Sequence, residues 1–385
     1  MIRTQRDPRP CILLALGWYS PAIHRGIAHY ARRANWILDT SMARDGSIPR
    51  SVEVDGIISL LHHNMELHDF VASCGLPVVN IGDIQLAGVP TVRCDDAAIG
   101  RLAAEHFISR GFRHAAYYRY STAASAHARQ QAFTQALAEA GIECDLIIWP
   151  GDERGAQEPE VSNLFDWLGQ EVSTLPRPLA IFSEHDEISI QILHVCRNLN
   201  IPVPEQVAVL GVDDDPLRCD FAPVPLSSVD NNQEAEGYQA AALLDRMLRG
   251  DSVTEREIVI APVRVTPRLS TDILAVKHVH VASVLHYIWQ NYTGPINAKT
   301  VAATVPLSYR RLHDAFQEEL GRSIAEEITL KRLEKAQTLL VKTDLRAHEI
   351  ALECGFPSED RMGRVFRRIL NQTPRDYRKR NCIVR

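Results

Sequence analysis

Val207-Ala208-Val209-Leu210-Gly211-Val212-Asp213-Asp214-Asp215 sets an unbroken apolar run against three carboxylates. Consecutive apolar positions without polar alternation predict a strand covered on both faces, the habit of a parallel sheet. Pro202 and Pro204 stand just ahead of it, between a predicted helix over 188–199 and the strand, where neither can interrupt a ladder. The same alternation fills the first 270 residues. Strands are predicted at 12–16, 56–60, 77–81, 115–118, 146–149, 179–182 and 207–212, with helices over 23–33, 97–110, 129–140, 188–199 and 236–249. Strands separated by helices of this length require parallel sheets joined by right-handed crossovers. Gly111 and Gly141 follow two of these helices, at the position where a left-handed residue ends a helix.

A chain of 385 residues exceeds a single typical core, so two or three domains are expected. No stretch approaches the roughly 18 apolar residues of a membrane span. The apolar run at 11–19 follows an arginine-bearing start and superficially resembles an export signal. Asp7, Pro8 and Pro10 before it, and the absence of a small-residue cleavage site after it, favour a buried first strand and a cytoplasmic protein. Cysteines at 11, 74, 94, 144, 196, 219, 354 and 382 are scattered without a CxxC pair or metal-ligand spacing. They predict reduced, mostly buried thiols and no metal site.

The net charge of −6 conceals a step. Residues 277–385 carry 19 Lys and Arg against 12 Asp and Glu, or +7, whereas 1–276 carry 23 against 36, or −13. One half is therefore suited to a polyanion and the other is not. The α/β pattern dissolves near 262–279, through Pro262, Pro267 and Arg268-Leu269-Ser270-Thr271-Asp272. The expected division is a two-lobed ligand-sensing domain over 1–265, a linker over 266–279 and a helical domain over 280–385.

The helical domain repeats itself. Val301-Ala302 opens a short helix, Leu307-Ser308 turns, and Leu312 and Phe316 stripe the next helix. Ile350-Ala351, Gly355-Phe356-Pro357-Ser358 and Met362 with Phe366 then do the same. Each unit reads as helix, tight turn and second helix, whose outer face is free for a DNA groove. The first outer face offers Ser308, Tyr309, Arg310, Arg311 and His313. The second offers Ser358, Glu359, Asp360, Arg361, Arg364, Arg367 and Arg368. Arginine forks suit guanine edges and phosphates alike. Ser308 and Ser358 fall at N-caps, where helix amides face phosphate. A long helix over 324–342 would hold the units apart; at about one DNA turn, roughly 34 Å, one subunit reads two successive major grooves.

Residues 280–380 resemble the AraC-type DNA-binding domain. The resemblance is carried by Leu312-x3-Phe316-x4-Gly321, Arg332-Leu333-x2-Ala336-x2-Leu339-Leu340, Ile350-Ala351-x3-Gly355-Phe356 and Thr373-Pro374-x2-Tyr377-Arg378. It implies base-facing positions at Arg310, His313 and Asp314, and at Glu359, Asp360, Gly363 and Arg364. Met362 stands where the family usually has an aromatic residue, and Gly363 weakens its helix by up to about 1 kcal/mol.

In the first domain the nucleotide-binding glycine loops GxGxxG and GxxxxGK[ST] are absent, and no catalytic Ser/His/Asp or Cys/His arrangement has the right context. Instead, polar residues gather at strand ends: Asp95-Asp96 after 91–94, His185-Asp186 after 181–183, and Asp213-Asp214-Asp215. Carboxylates there can accept hydrogen bonds from a polyol, and Arg129, opening a helix, can donate. For each residue alone, a helix cap or a surface loop is the competing reading.

Val207–Asp214, Ile201-Pro202-Val203-Pro204, Leu226-Ser227-Ser228-Val229, Asp95-Asp96-x2-Ile99-Gly100 and Arg129-x3-Phe133 are similar to the sensing core of LacI/GalR-type regulators. The resemblance implies an α/β two-lobed periplasmic-binding-protein-like sensor domain, here followed by an all-α domain with two helix-turn-helix units. It implies sugar contacts at Asp95, Arg129, Asp186 and Asp213, with Asp214 beside them. It also draws in Tyr19 and His24 from the first strand–helix turn, where such regulators often carry arginine, and His185, where an asparagine is frequent.

The implied protein is a homodimer that binds a monosaccharide, a pentose by resemblance, and double-stranded DNA at tandem operator half-sites. It would contact RNA polymerase as an activator of a sugar-use operon, without cofactor or catalytic residue. A regulator of this architecture with a non-sugar effector is the alternative. A sugar-transport component would need an export signal, and an enzyme with a basic appendage would need a reactive site in 1–270.

Overall fold

A computed structural model describes residues 7–42, 48, 53–61, 65–150, 161–272, 278–343 and 345–381. The chain runs through β1 (Cys11–Leu16), α1 (Pro21–Ala34), β2 (Ile37–Asp39), β3 (Gly56–Leu60), α2 (Met65–Ser73), β4 (Val78–Ile81) and β5 (Thr91–Cys94) in a first lobe. A second lobe takes α3 (Asp96–Ile108), β6 (His114–Arg119), α4 (Ala124–Glu139), β7 (Cys144–Ile148), α5 (Val161–Thr174) and β8 (Leu179–Ser183). It continues with α6 (Asp186–Asn198), β9 (Val207–Val212), α7 (Pro216–Cys219) and β10 (Ser227–Asp230). Then α8 (Gln233–Leu248) and β11 (Glu257–Ile260) return to the first lobe, and β12 (Arg264–Thr266) to the second.

Each lobe holds a six-stranded sheet, ordered β11-β5-β4-β3-β1-β2 and β12-β10-β9-β8-β6-β7. Every described pairing is parallel except β10 with β12. The unbroken apolar strands are explained by cover on both faces. From β1, Ile12, Leu14 and Leu16 pack with Ile23 and Ile27 of α1 and Leu244 of α8, while Leu13 and Ala15 pack with Leu67 and Val71 of α2. From β9, Ala208, Leu210 and Val212 join Ile99 and Phe133, while Val207 and Val209 join Ile192 of α6. Each of the larger of these side chains (valine, leucine, isoleucine, phenylalanine) removed from water contributes about 1.5–3 kcal/mol before entropy. The chain crosses between lobes three times, at 94–96, 230–233 and 260–264, so a cleft opens where parallel strands end.

The remaining elements are α9 (Val279–Asn291), α10 (Ala298–Ala302), α11 (Tyr309–Leu320), α12 (Ile324–Lys342), α13 (Ala347–Glu353), α14 (Glu359–Leu370) and α15 (Pro374–Asn381). They enclose two cores that share α12. Val301, Leu312 and Phe316 pack on Ile324 and Ile328; Ile350, Met362 and Phe366 pack on Leu333, Ala336 and Leu340. Capping boxes Asn297/Thr300 and Ser323/Glu326 start α10 and α12, and left-handed Gly321 and Asn371 end α11 and α14. Gly355 is also left-handed, with φ 78°, and any Cβ there would sit 2.6 Å from the Thr293 carbonyl oxygen. That contact ties the turn of the second unit to the end of α9.

Several segments differ from the sequence expectation. Helix α4 starts at Ala124 rather than 129, because its N-cap Ala123 supplies no side-chain hydrogen bond and so no sequence signal. The strands β2, β11 and β12 lie at sheet edges and are too short for a periodic pattern. Most important, the linker expected over 266–279 opens with residues packed on the second sheet. Ser270 Oγ donates to the Val209 carbonyl (2.6 Å), Arg268 Nη1 to the Leu226 carbonyl (2.9 Å) and Thr271 Oγ1 to Ser227 Oγ (2.7 Å). Polar anchoring of this kind leaves no hydrophobic period to read. Residues 273–277 of that segment lie outside the described residues.

Candidate functional site

A cavity of about 350 Å³ lies between the lobes, within the roughly 300–1,000 Å³ typical of small-molecule sites. Trp18 and Tyr19 of the β1–α1 turn stand half-exposed on one side. Asp213–Asp215 beyond β9 and His185 before α6 form the other. Asn232 and Gln233 come from the crossing into α8, and Arg264 from β12. Ser20 caps α1 through Ile23 N (3.2 Å) and donates to Gln233 Oε1 (2.5 Å), which fastens the first turn to α8.

Asp213 and Asp214 take positive φ of 114° and 51°, a conformation that costs free energy outside glycine. It aims Asp213 at Asn231 Nδ2 and Gln233 Nε2, both donating to Oδ1 at 2.9 Å. Burial drives the Asp213 carboxyl up to about 7, against the opposing pull of the Arg129 charge. Behind it lies a buried polar layer. Arg129 Nε donates to Asp96 Oδ1 at 2.8 Å, and Nη1 to the Glu184 carbonyl. The close crossing that brings α3 to α4 needs Gly100, since a Cβ there would overlap the Arg129 carbonyl. Burial also lifts Glu236 to about 8, beside the Cys94 thiol at 3.5 Å.

Of the eight expected ligand contacts, Tyr19, His185, Asp213 and Asp214 border the cavity. Asp214 is held there by Thr266 Oγ1 and Arg268 Nη1, both at 2.7 Å. The other four stand elsewhere. Asp95 caps α3 by accepting from Ala98 N (2.9 Å), leaving the next carboxylate, Asp96, to meet Arg129 in the layer behind. Asp186 is fully buried, accepting from Ser228 Oγ (2.6 Å), Asp215 N (3.1 Å) and Cys219 Sγ (3.2 Å). His24 pairs with the Tyr19 hydroxyl at 2.9 Å, its pKa lowered by burial. Trp18, Gln233, Glu236 and Arg264 were not foreseen. Glu236 reads in sequence as an ordinary acid in the first turn of a helix, and Arg264 sits in a segment without pattern.

The helical domain carries its charged residues as expected. Ser308, Tyr309, Arg310 and Arg311 are exposed and His313 partly so, while Leu312 and Phe316 behind them are fully buried. Ser358, Glu359, Asp360, Arg361, Arg364, Arg367 and Arg368 are all exposed, over buried Met362 and Phe366. Ser308 and Ser358 cap their helices by accepting from Arg311 N (3.4 Å) and Arg361 N (3.2 Å). Acids in the first turn of α14 and arginines in its last both favour the helix dipole. Among the described residues, no helix is long and apolar enough to cross a membrane, and no group of His, Cys, Asp and Glu is placed to hold a metal ion.

Residues 104–271 match the periplasmic binding protein-like domain family, and 301–380 match the helix-turn-helix domain family. Over 340 residues the chain is 32% identical to the xylose operon regulatory protein of Escherichia coli (strain K12), spanning 86% of this chain and 85% of that one. The protein of the same name from Haemophilus influenzae is 28% identical over 298 residues, 76% of this chain and 75% of its own. The solved structure of the xylose-binding transcription activator xylR is 29% identical, covers 97% of this chain and 98% of its own, and has a TM-score of 0.59.

Proposed function

The chain belongs to the family of xylose operon regulatory proteins, sugar-responsive DNA-binding transcription regulators, and we propose that a pentose of the xylose type, bound between its lobes, is the signal. The observation that carries this reading is the inter-lobe cavity with Asp213 at its wall, in a chain whose far end exposes two capped, arginine-bearing helices. Six carboxylates against three guanidinium groups line the cavity. That balance suits a neutral polyol, whose hydroxyls donate to carboxylates, and disfavours an anion. Asp213, His185, Tyr19 and Asp214 are the proposed contacts, with Trp18 offering an aromatic face. Arg129 and Asp96 stiffen the layer behind. Asp95, Asp186 and His24 are assigned to holding the frame that presents those contacts.

In this reading the protein acts in the cytoplasm as a homodimer. Pentose draws the lobes together, the helical domains settle on tandem half-sites of duplex DNA, and transcription is activated through contact with RNA polymerase. Ligand can shift that equilibrium only by its differential affinity for the two arrangements. Arg310, Arg311 and His313 of α11 and Arg361 and Arg364 of α14 are the proposed groove residues, with Arg367 and Arg368 on phosphate. No catalytic role is proposed.

A thermal-unfolding screen against pentoses, hexoses and purines tests the effector. A pentose at 100 times its dissociation constant should add about 2.7 kcal/mol to stability, and Asp213→Ala should remove the shift. A purine that raises the midpoint where every sugar fails would replace the pentose and leave the DNA-binding half of the reading intact.

A further inference from the structure

Arg264 is buried, only 7% exposed, yet it borders the inter-lobe cavity. It stands on β12 opposite Asp230 of β10, at the last crossing between the lobes. Its Nη1 donates to the main-chain carbonyl of Gln337 at 3.4 Å, and Gln337 belongs to α12. Its Nε and Nη2 are buried and meet no hydrogen-bond partner among the described residues. A guanidinium has five donors and no acceptor, and burying two of its nitrogens unpaired is costly, so an oxygen acceptor from outside the chain would relieve it. One helical turn beyond Gln337, Val341 lines the same cavity. The long helix that both DNA-binding units share is thus part of the cavity wall.

The far end of α12 is anchored separately. Arg322, just ahead of the helix, donates through Nη2 to the Ser109 carbonyl (3.1 Å), and Lys331 lies 3.6 Å from Asp272 Oδ1. Those contacts fall on the second lobe and away from the cavity lining, so they hold only the first half of α12 whatever occupies the cleft and leave the Gln337–Val341 end to the cavity. Among the described residues, the Arg264–Gln337–Val341 end touches both the cavity and the DNA-binding domain.

We propose that Arg264 is a ligand-contacting residue that joins an oxygen of the bound sugar to α12, so that filling the cavity fixes the DNA-binding domain against the second lobe. This rests on the pentose reading given above. The sugar oxygen accepts from Nε or Nη2 while Nη1 keeps the Gln337 carbonyl, and Val341 closes the apolar side of the same wall. The acidic surroundings select a neutral hydroxylated ligand as the partner of this one buried cation.

The test uses the full chain titrated with D-xylose, D-ribose and L-arabinose, read by tryptophan fluorescence, with hydrogen exchange of the α12 amides at saturation. In the wild-type chain one pentose should bind and slow exchange in 333–342. Arg264→Gln should bind that pentose at least tenfold more weakly and, once saturated, leave α12 exchange unslowed. Val341→Trp, which fills the wall from the DNA-binding side, should also weaken binding tenfold, and it decides the matter should Arg264→Gln fail to fold. Wild-type affinity in either variant, or α12 still protected in saturated Arg264→Gln, overturns the inference while the pentose reading stands. Failure of all three pentoses to bind the wild-type chain removes that reading, and this inference falls with it.

Discussion

Asp213 and Glu236 are carboxyls that burial has pushed up to about 7 and about 8. Between the ordinary carboxylate range and those values the folded chain holds protons that the unfolded chain has released. By linkage, stability must therefore fall as pH rises through that window, the reverse of a salt-bridged acid. Urea unfolding at intervals from pH 5 to 8 should show this decline, and Glu236→Gln should flatten it and gain about 1 kcal/mol or more at pH 8. The Arg129–Asp96 pair is a matter of buried charge. Both partners are buried, with side chains 11% and 8% exposed, so Arg129→Ala strands a carboxylate and should cost about 3–5 kcal/mol in the same unfolding experiment. A variant stable to within 1 kcal/mol of wild type would show that water replaces the guanidinium there.

Helix α14 shows how an element divides between packing and chemistry. Met362, Val365 and Phe366 hold it to α12, while Arg361, Arg364, Arg367 and Arg368 are turned to solvent. Gly363 lies on the inner face, yet a Cβ there would meet nothing within 4 Å. Gly363→Ala should then raise stability by about 1 kcal/mol through helix propensity alone, seen as a higher melting midpoint. A lowered midpoint would mean that the backbone at 363 bends in a way the alanine cannot follow. Removing the Ser358 cap by Ser358→Ala should cost about 1 kcal/mol. On duplex DNA, Arg367→Ala should reduce the slope of log affinity against log salt by about 1, because phosphate contacts act by counterion release. An unchanged slope would take Arg367 off the phosphate backbone.

At the scale of the whole molecule, the helical domain meets the second lobe along α12, and Val341 of that helix reaches the cavity between the lobes. Much of this was legible beforehand. Uniformly apolar strands can be stable only between two helical layers, so Val207–Val212 alone called for a doubly covered sheet. The paired motifs around Phe316 and Phe366 announced two units, because each stripe of large apolar residues needs its own short helix to cover it. The charge step marked the half that meets DNA. The cavity was less legible, since a carboxylate at a strand end can cap a helix or face a ligand with equal chemical ease. Asp95 and Asp96 are adjacent and alike, and only the turn into α3 sends one to Ala98 N and the other to Arg129. Arg264 gave no signal, because its role comes from β12 pairing with β10 and from α12 crossing above it, contacts made 34 and 73 residues away in the chain. Local pattern and composition determined the layers, the domain order and the two exposed, arginine-bearing helices, which follow from periodicity and net charge. Only the tertiary structure decided which polar side chains reach the cleft, because that depends on backbone direction at a few turns and on segments distant in sequence.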